Sequence, residues 1–422
     1  MTAPPHAFYN ERAAAPHVKT ALDSGSRSRP RSFAFMPPHV IDLSRTEDVR
    51  DVVHRAVQAL AEGGLVAFPT EPAYSIAASA LDEEAVEGLV AALNCLPDCS
   101  VRIAVRGFDD AIDYAPHMSA KAQRLARRVW PGPMALSIDA DDPASLATRL
   151  PESVRAHTVR NGRLTLCVPD DSVLLTVLKY SLGPVALADA KLPDGTLATD
   201  AASAVQAAGD ALRLVIDRGP CMVGEPVTVV EAIGDELRIV SPGALDEETL
   251  RSMANKQVLV VCTGNTCRSP MAEAILKKKL AERLGCTPDE LSARGFTVAS
   301  AGMSAMPGGR ATFEAIQTVG ALGLDIECHR SRQVSEALVR QADLILTMTQ
   351  AHRQGILSHF PDVAPKVKTV CVDGRDVADP VGHPLPAYER AAEIIDNELD
   401  PWVDHLIQEA EADDADDQSG AL

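Results

Sequence analysis

The chain has 422 residues, roughly three times a domain of about 150 residues, so two or three domains are expected. Hydrophobic residues make up 46% of it, and 59 acidic against 40 basic side chains give a net charge of −19, which argues against a protein that coats nucleic acid or an anionic membrane by bulk charge. No apolar run approaches the about 20 residues that span a bilayer, and nine cysteines without a secretory leader predict reduced thiols in the cytoplasm.

The first part of the chain divides near residue 38. Residues 1–38 are rich in Pro, Ala, Ser and Arg and are predicted to be a disordered arm, whereas residues 39–245 alternate helical and strand patterns, as an α/β domain does. The predicted elements are helix Glu47–Glu62, strand Leu65–Pro69, helix Glu83–Leu93, strand Val101–Val105, helix Ala120–Val129, and strands Met134–Ile138, Arg163–Val168, Leu212–Ile216, Val227–Ala232 and Leu237–Val240.

A second α/β pattern follows a charged linker, residues 246–256. Four strands alternate with helices over residues 257–408, which predicts a doubly wound parallel sheet, and residues 409–422 are predicted to be an acidic tail. The predicted elements are strand Gln257–Val261, helix Pro270–Leu284, strand Thr297–Ala301, helices Arg310–Leu322 and Ser335–Gln341, strand Leu344–Met348, helix Gln350–His359, strand Lys368–Cys371 and helix Ala387–Ile407.

The most informative string is VLVVCTGNTCRSPMAE, residues 258–273. An apolar strand places Cys262 at its carboxyl end, where open α/β sheets bind ligands, and Ser269 marks the start of a helix. The backbone N–H groups of residues 263–268 are then expected to face inward and hold a phosphate-sized anion, which Arg268 can bind with two hydrogen bonds. The same field stabilises a Cys262 thiolate, to which Ser269 can donate, so we expect Cys262 to attack phosphorus and form a phosphocysteine intermediate.

This reaction needs an acid to protonate the leaving group and a base to activate water. Asp376 and Asp379 are the candidates, in the loop before the last predicted helix. Asp379 precedes Pro380, which restricts its backbone to extended or turn conformations. The residues alone leave open whether Asp379 is the acid, a turn former or a helix cap.

Residues 257–406 resemble the low-molecular-weight protein tyrosine phosphatase family over essentially its full length. The family pattern V-C-x-G-N-x-C-R-S-P-M-A-E is met by residues 261–273, and its D-P landmark is met by Asp379-Pro380. Two further family segments are matched by Ser300-Ala301-Gly302 and by residues 342–349.

This resemblance implies a role for each site residue and a mechanism without metal or cofactor. Its implied assignments are Cys262 as nucleophile, Arg268 as phosphate clamp, Ser269 as thiolate stabiliser, Asn265 as loop organiser, and Asp379 as acid and then base. The implied phosphate-binding residues are Thr263, Gly264, Asn265, Thr266, Cys267 and Arg268.

The phosphorylated side chain stays open between phosphotyrosine and phosphoarginine. Tyrosine-specific members usually carry an aliphatic residue at the position of Thr266, whereas Cys262 to Ser269 is similar to the loop of bacterial protein-arginine phosphatases. A threonine there is expected to narrow the pocket, and Val381-Gly382-His383 lacks aromatics that would enclose a phosphotyrosine ring. An enzyme of broad specificity is the alternative, and a phosphorylated protein is the expected partner in each case.

Two hypotheses concern the cysteines of residues 257–408. Cys262 and Cys267 are close enough in sequence to form a reversible disulfide that switches the enzyme off under peroxide and protects Cys262 from further oxidation. The arsenate-reducing branch of this fold uses a downstream pair about eight residues apart, which Cys328 and Cys371 do not provide.

Residues 42–245 resemble the YrdC-like family, which makes threonylcarbamoyl-adenylate from threonine, bicarbonate and ATP during tRNA modification. The segments that carry this resemblance are Gly63 to Tyr74, Trp130 to Met134, Thr228 to Glu231 and Pro242 to Ala244. The residues with which that family binds ATP are replaced, for example by residues 92–97, Cys167, Ala188-Asp189-Ala190 and Ser241.

A pocket that is acidic and poor in cations binds a nucleotide weakly, so we expect a YrdC-like fold without synthase activity. The alternatives are a threonylcarbamoyl-adenylate synthase and a bifunctional fusion whose N-terminal domain binds RNA or a protein.

Overall fold

The computed structural model describes residues 37–93, 101–222 and 224–419. Most of the predicted arm, residues 1–38, and part of the segment 92–97 lie outside the described residues. Among the helices of these ranges, none is both long enough and apolar enough to cross a membrane.

The N-terminal part of the chain forms a mixed sheet of 11 strands. Its elements are β1 (His39–Asp42), α1 (Val49–Ala61), β2 (Leu65–Phe68), β3 (Ser75–Ser79), α2 (Glu83–Ala92), β4 (Arg102–Ala104), α3 (Phe108–Tyr114), α4 (Ala120–Val129), β5 (Met134–Asp139), α5 (Glu152–Thr158), β6 (Val159–Arg160), β7 (Arg163–Cys167), α6 (Ser172–Tyr180), β8 (Val185–Asp189), α7 (Ala201–Ala208), β9 (Leu212–Asp217), β10 (Thr228–Ile233) and β11 (Glu236–Ser241). The strand order is β1-β9-β2-β3-β8-β4-β7-β5-β10-β11, with β6 paired to β7.

Helices cover both faces of this sheet. Val53 of α1 and Leu174 of α6 belong to the core on one face, and Leu89 of α2 and Leu125 of α4 belong to the core on the other. Strand β2 is accordingly buried at every position, as its unbroken apolar sequence predicts for a strand covered on both sides.

The C-terminal part forms a separate sheet of four strands, joined to the first by α8 (Glu247–Ala254). Its elements are β12 (Lys256–Cys262), α9 (Arg268–Leu284), β13 (Phe296–Gly302), α10 (Phe313–Gly320), α11 (Glu336–Gln341), β14 (Leu344–Thr347), α12 (Gln350–His359), β15 (Val367–Thr369) and α13 (Leu385–Ser419). The order is β13-β12-β14-β15 and every pair is parallel, which confirms the predicted doubly wound sheet. Helices α9, α10 and α13 pack on one face, and α11 and α12 on the other.

Helix α13 is longer than the sequence predicts, because it continues through residues assigned to the acidic tail. Lys256 is buried at the start of β12, and its Nζ lies 2.8 Å from Glu409 Oε2. Arg124 of α4 pairs with Asp413 at 2.8 Å. These cations pair with Glu409 and Asp413, so the helix packs at these residues instead of ending near residue 407.

The predicted linker is a helix packed against α4. The Arg128 guanidinium of α4 is nearly buried and donates four hydrogen bonds, which together we call the arginine joint. Its acceptors are Met253 O at 2.7 Å, Asn255 O at 2.6 Å, Gln341 O at 2.9 Å and Asp343 Oδ2 at 2.6 Å. The joint ties α4 to the carboxyl end of α8 and to the amino ends of β12 and β14.

Candidate active site

The candidate site lies at the carboxyl end of β12. Cys262 is the last residue of this strand and is 3% exposed, and α9 begins six residues later at Arg268. In the intervening loop, residues 263–267, Thr263 is exposed, Gly264 and Thr266 are half-buried, and Asn265 and Cys267 are buried. The structure thus brings the sequence-predicted loop residues together in one turn between a strand and a helix.

The carbonyl groups of this loop are held outward by donors from other segments. The pairs are Met303 N to Cys262 O at 2.9 Å, Ser304 N to Thr263 O at 2.9 Å, Thr312 N to Thr266 O at 2.9 Å and His329 Nε2 to Asn265 O at 2.8 Å. With the oxygens turned out, the Asn265 N–H points inward and lies 3.2 Å from Cys262 Sγ. A loop whose carbonyl groups bond outward leaves its backbone N–H groups as the donors available to an anion.

Asn265 organises the loop through its side chain. Its φ of +53° lies in the left-handed region, which asparagine adopts more readily than most residues. Its Nδ2 donates to the hydroxyls of Ser269 and Ser300, both at 2.9 Å, and its Oδ1 accepts from Arg332 N at 2.9 Å. These contacts anchor the loop to α9, β13 and the segment that follows residue 328.

The same network directs the Ser269 hydroxyl toward sulfur. Ser269 Oγ lies 3.0 Å from Cys262 Sγ, and it accepts a hydrogen bond from Asn265, so its own proton is available to the sulfur. The sulfur therefore lies beside a hydroxyl, a backbone N–H and the amino end of a 17-residue helix, a set of donors that meet at one atom.

Gly302, the last residue of β13, approaches the loop too closely for a side chain. A Cβ atom at this position would lie 2.6 Å from Thr263 O and 2.8 Å from Asn265 N. The Ser-Ala-Gly match in the sequence therefore has a steric reason, because the backbone of β13 packs directly against the loop.

Arg268 and Asp379 meet beside the loop although 110 positions separate them. The Arg268 side chain is buried, donates to Val377 O at 2.9 Å and forms an ion pair with Asp379, whose side chain is 46% exposed. Asp376 instead accepts from the backbone N–H of Gln350 at 2.8 Å at the start of α12. Of the two carboxylates that the sequence left open, Asp379 is the one held next to the predicted phosphate clamp.

His352 belongs to this site and was missed by the sequence reasoning. It is 8% exposed, and its Nε2 lies 2.9 Å from Thr263 Oγ1, while its Nδ1 lies 2.9 Å from Thr349 Oγ1. Burial and the nearby Arg268 charge lower the pKa of His352, and Asp379 and Asp376 oppose this shift. No local sequence motif predicts this histidine, because it reaches the loop only when the connection from β14 to α12 has folded.

Cys267 faces away from the anion side of the loop. Its Sγ lies 3.5 Å from Thr312 Oγ1 and 3.7 Å from the hydroxyl of Tyr388, a buried residue of α13. Cys262 and Cys267 are both free thiols, so the peroxide-sensitive disulfide stays a prediction.

The N-terminal sheet contains a buried ion pair between two of its strands. Arg102 of β4, 4% exposed, binds Asp189 of β8 through Nη1–Oδ2 and Nη2–Oδ1 contacts of 3.1 and 2.5 Å. Burial alone would raise the pKa of Asp189, but the Arg102 guanidinium outweighs burial and holds that pKa below its usual range. The cation is therefore neutralised within the protein.

Among the described residues, one group of side chains has the spacing of a metal site: Cys371, Asp373 and Glu398. Arg375 contacts both carboxylates, at 2.5 and 2.9 Å. A guanidinium already occupies the position from which these oxygens could bind a cation, so the group is an ion-paired cluster.

Comparisons with known proteins agree with this geometry. Residues 257–412 match the family described as low molecular weight phosphotyrosine protein phosphatase, and residues 58–243 match the Sua5–YciO–YrdC family, described as telomere recombination. The chain is 38% identical over 152 residues to the probable low molecular weight protein-tyrosine-phosphatase EpsP of Ralstonia nicotianae, which covers 36% of this chain and 96% of that relative.

Two further relatives come from Bacillus subtilis. The protein-arginine-phosphatase is 38% identical over 146 residues, covering 34% of this chain and 91% of that relative. A crystal structure of a YwlE mutant is 35% identical, with a TM-score of 0.32, and covers 36% of this chain and 99% of that chain. With a Sua5/YrdC-type domain ahead of its phosphatase segment, the chain belongs to the low molecular weight phosphotyrosine protein phosphatase family and is a phosphoric monoester hydrolase.

Proposed function

We propose that the chain hydrolyses phosphotyrosine or phosphoarginine side chains of proteins through a phosphocysteine intermediate on Cys262. The observation that carries the proposal is the environment of one sulfur atom. Cys262 Sγ lies 3.2 Å from the Asn265 N–H donor and 3.0 Å from Ser269 Oγ, at the amino end of α9. These donors favour the thiolate that a phosphoryl acceptor needs.

The ion pair between Arg268 and Asp379 supports separate roles for these residues in the first step: Arg268 binds the phosphoryl group, and Asp379 donates the proton. A bound phosphoryl dianion would take over the Arg268 donors, leaving Asp379 without its cation and beside new negative charge. Both changes favour the protonated carboxyl group that a general acid requires.

Two displacements then complete the reaction. The Cys262 thiolate attacks phosphorus, the S–P bond forms, and the P–O or P–N bond breaks as Asp379 gives its proton to the leaving oxygen or nitrogen. In the second step Asp379, now a carboxylate, takes a proton from water; the water oxygen attacks phosphorus, the S–P bond breaks, and phosphate and the thiolate are released. Donors of residues 263–268 hold the phosphoryl oxygens throughout, which stabilises the charge that develops on them.

Single substitutions test these roles. Cys262→Ser should abolish hydrolysis of an aryl phosphate, whereas Cys286→Ser, at a half-buried thiol beyond the end of α9, should leave it unchanged. Asp379→Asn should slow turnover by about 10²–10⁴-fold. With an aryl phosphate whose phenolate leaves without a proton, only the second step needs Asp379, so a phosphorylated Cys262 should accumulate, which mass spectrometry detects as one added phosphoryl group. Retention of more than about a hundredth of the wild-type rate in Cys262→Ser would contradict the mechanism, since its step needs the thiolate.

Thr266 is the position at which the two substrates can be separated. It is half-buried, and its Oγ1 lies 3.6 Å from Cys267 Sγ, so a hydroxyl lines the loop where tyrosine-specific members usually carry an aliphatic group. The measurement is kcat/KM for phosphoarginine and phosphotyrosine peptides in the wild type and in Thr266→Ile. A shift toward phosphotyrosine in the variant identifies Thr266 as the determinant of arginine preference, and an unchanged ratio rejects that role.

We further propose that the N-terminal domain, bounded by the segment 246–256, lacks synthase activity. The pairing of Arg102 with Asp189 supports this, because it leaves no net positive charge from that pair for a triphosphate. The test is pyrophosphate release by the full chain carrying Cys262→Ser, supplied with ATP, threonine and bicarbonate. Release above the protein-free blank contradicts the proposal. An RNA or protein ligand of this domain stays a prediction, and salt-dependent RNA binding by the same variant would support it.

A further inference from the structure

A chain of polar contacts from α12 reaches the Arg268 guanidinium, and the reaction described above leaves it without a role. His352, in the first turn of α12, binds Thr349 through Nδ1 and Thr263 through Nε2, each at 2.9 Å. Thr263 Oγ1 in turn accepts from Arg268 Nη2 at 3.4 Å. Two contacts therefore separate the imidazole from the residue that binds phosphate in the proposed function.

One placement of the protons satisfies the Arg268 guanidinium, the Thr263 hydroxyl and both ring nitrogens of His352. A guanidinium only donates, so Thr263 Oγ1 accepts from Arg268 and needs an acceptor for its own proton. Unprotonated Nε2 of His352 supplies that acceptor. The ring proton then lies on Nδ1 and is donated to Thr349 Oγ1, which also accepts the backbone N–H of His352 at 3.2 Å. In this arrangement both ring nitrogens of His352 and the Thr263 hydroxyl have hydrogen-bond partners.

Burial of the ring and the Arg268 charge favour the same neutral state, and the carboxylates of Asp376 and Asp379 oppose it. The charged groups that face His352 are Arg268 of α9 and Asp376 and Asp379 of the loop after β15. A proton on Nε2 would turn this nitrogen into a donor, deprive the Thr263 hydroxyl of its acceptor, and place a second cation toward Arg268.

We propose that neutral His352 is a positioning residue for the phosphatase reaction. It orients the Thr263 hydroxyl, which accepts a hydrogen bond from Arg268. This hydrogen bond holds the Arg268 guanidinium in the orientation in which the guanidinium can release Asp379 and bind the phosphoryl oxygens. The inference rests on the proposed function. Loss of the His352 hydrogen bond should reduce kcat/KM about tenfold, the scale of one hydrogen bond in a charged network.

Two substitutions separate hydrogen bonding from packing. His352→Phe keeps the ring and removes both nitrogens, so kcat/KM for an aryl phosphate should fall about tenfold at pH 7.5. His352→Gln offers an amide oxygen to Thr263 and carries no charge at any pH, so it should stay within about twofold of the wild type there. His359→Phe, at the exposed end of α12, is the matched control and should leave kcat/KM unchanged.

The pH profile gives a readout that a packing role would not change. The ratio of wild-type to His352→Gln activity should be constant above about pH 6.5, the ordinary pKa of histidine, and fall below it, because only the wild type acquires the charge. A ratio independent of pH, or full activity of His352→Phe, would overturn the inference.

A double substitution tests whether His352 acts through Thr263. When Thr263→Val is combined with His352→Phe, the loss should equal that of Thr263→Val alone, and independent additive losses would refute the route. If the wild type hydrolyses nothing, the proposed function fails on its own. Calorimetric binding of inorganic phosphate then still tests positioning, with about tenfold weaker binding expected in His352→Phe and equal binding counting against it.

Discussion

Removing the Arg128 side chain should weaken the attachment of the N-terminal sheet to the phosphatase sheet. The guanidinium is 6% exposed and donates to three backbone carbonyls and to the Asp343 carboxylate at 2.6–2.9 Å. Arg128→Ala leaves all four acceptors without this donor. Asp343 keeps one other partner, the backbone N–H of Gln257 at 2.7 Å.

The magnitude follows from burial and from the number of contacts. Hydrogen bonds to a charged group contribute about 1.5–3 kcal/mol each, but the four contacts share the cost of taking one guanidinium out of water, so their contributions do not add. That cost is substantial here, because burial lowers the pKa of Arg128 despite the opposing effect of Asp343. Breaking a buried pair of this kind typically costs about 3–5 kcal/mol, which is the loss of unfolding free energy that we expect.

Calorimetry of the full chain measures the effect. A chain with two sheets need not unfold in one step, so the quantity to compare is the midpoint of the first transition, which should fall by about 6 °C or more. Arg127→Ala is the matched control on the same helix. It removes a stack on the Phe108 ring at 3.7 Å, worth about 0.5–1 kcal/mol. An Arg128→Ala shift no larger than that of Arg127→Ala would refute the reasoning, and kcat/KM should be unchanged in both variants.

Three further changes have expected outcomes of different kinds. Asp189→Ala leaves the buried Arg102 charge without its partner and should cost about 3–5 kcal/mol in urea unfolding. Asp110→Ala, which breaks a pair with the exposed Arg106 ahead of α3, should cost about 1 kcal/mol or less. Gly302→Ala places a Cβ 2.6 Å from a loop carbonyl oxygen and should lower kcat by about 100-fold or more while thermal melts still show a folded chain. Folding lowers the pKa of His352, so below about pH 6.5 the unfolded chain binds more protons than the folded chain does, and the wild type loses stability as the pH falls. In urea titrations between pH 6.5 and 5, His352→Gln should therefore lose less unfolding free energy than the wild type.

The elements that the sequence predicts best are those with a strong local signal. Helices Ala120–Val129 and Gln350–His359 begin and end where the sequence places them, since Ser119 and Thr349 cap them through side-chain hydrogen bonds. The strands β3 and β8 were missed because their sequences, SIAAS and VALAD, are rich in alanine and carry little intrinsic strand preference. They are strands because each pairs with the other at the centre of the sheet.

The residues of the candidate site also differ in how directly the sequence predicts them. Cys262, Arg268 and Ser269 lie in one string whose strand and loop can be read directly. The prediction that Ser269 caps the next helix is wrong, because α9 already begins at Arg268 and the Ser269 hydroxyl contacts Cys262 instead. Three side chains that hold this loop come from three separate later segments, and no spacing connects them before the chain has folded: Ser300, His329 and His352.

The two ends of β12 have different roles: the amino end is attached to the N-terminal sheet, and the carboxyl end carries the candidate nucleophile. The arginine joint binds the residues around Lys256 at the amino end, and Cys262 lies at the carboxyl end, about 20 Å away along seven strand residues. In the part of the chain that the structure describes, the hydrogen bonds that shape the loop come from α9, from β13 and from the segments after β13, β14 and β15. The N-terminal domain therefore packs where it can stabilise the phosphatase sheet without shaping its phosphate loop. Any influence that it has on turnover must be exerted through stability or through recruitment of a protein substrate, and kcat for a small aryl phosphate should be independent of it.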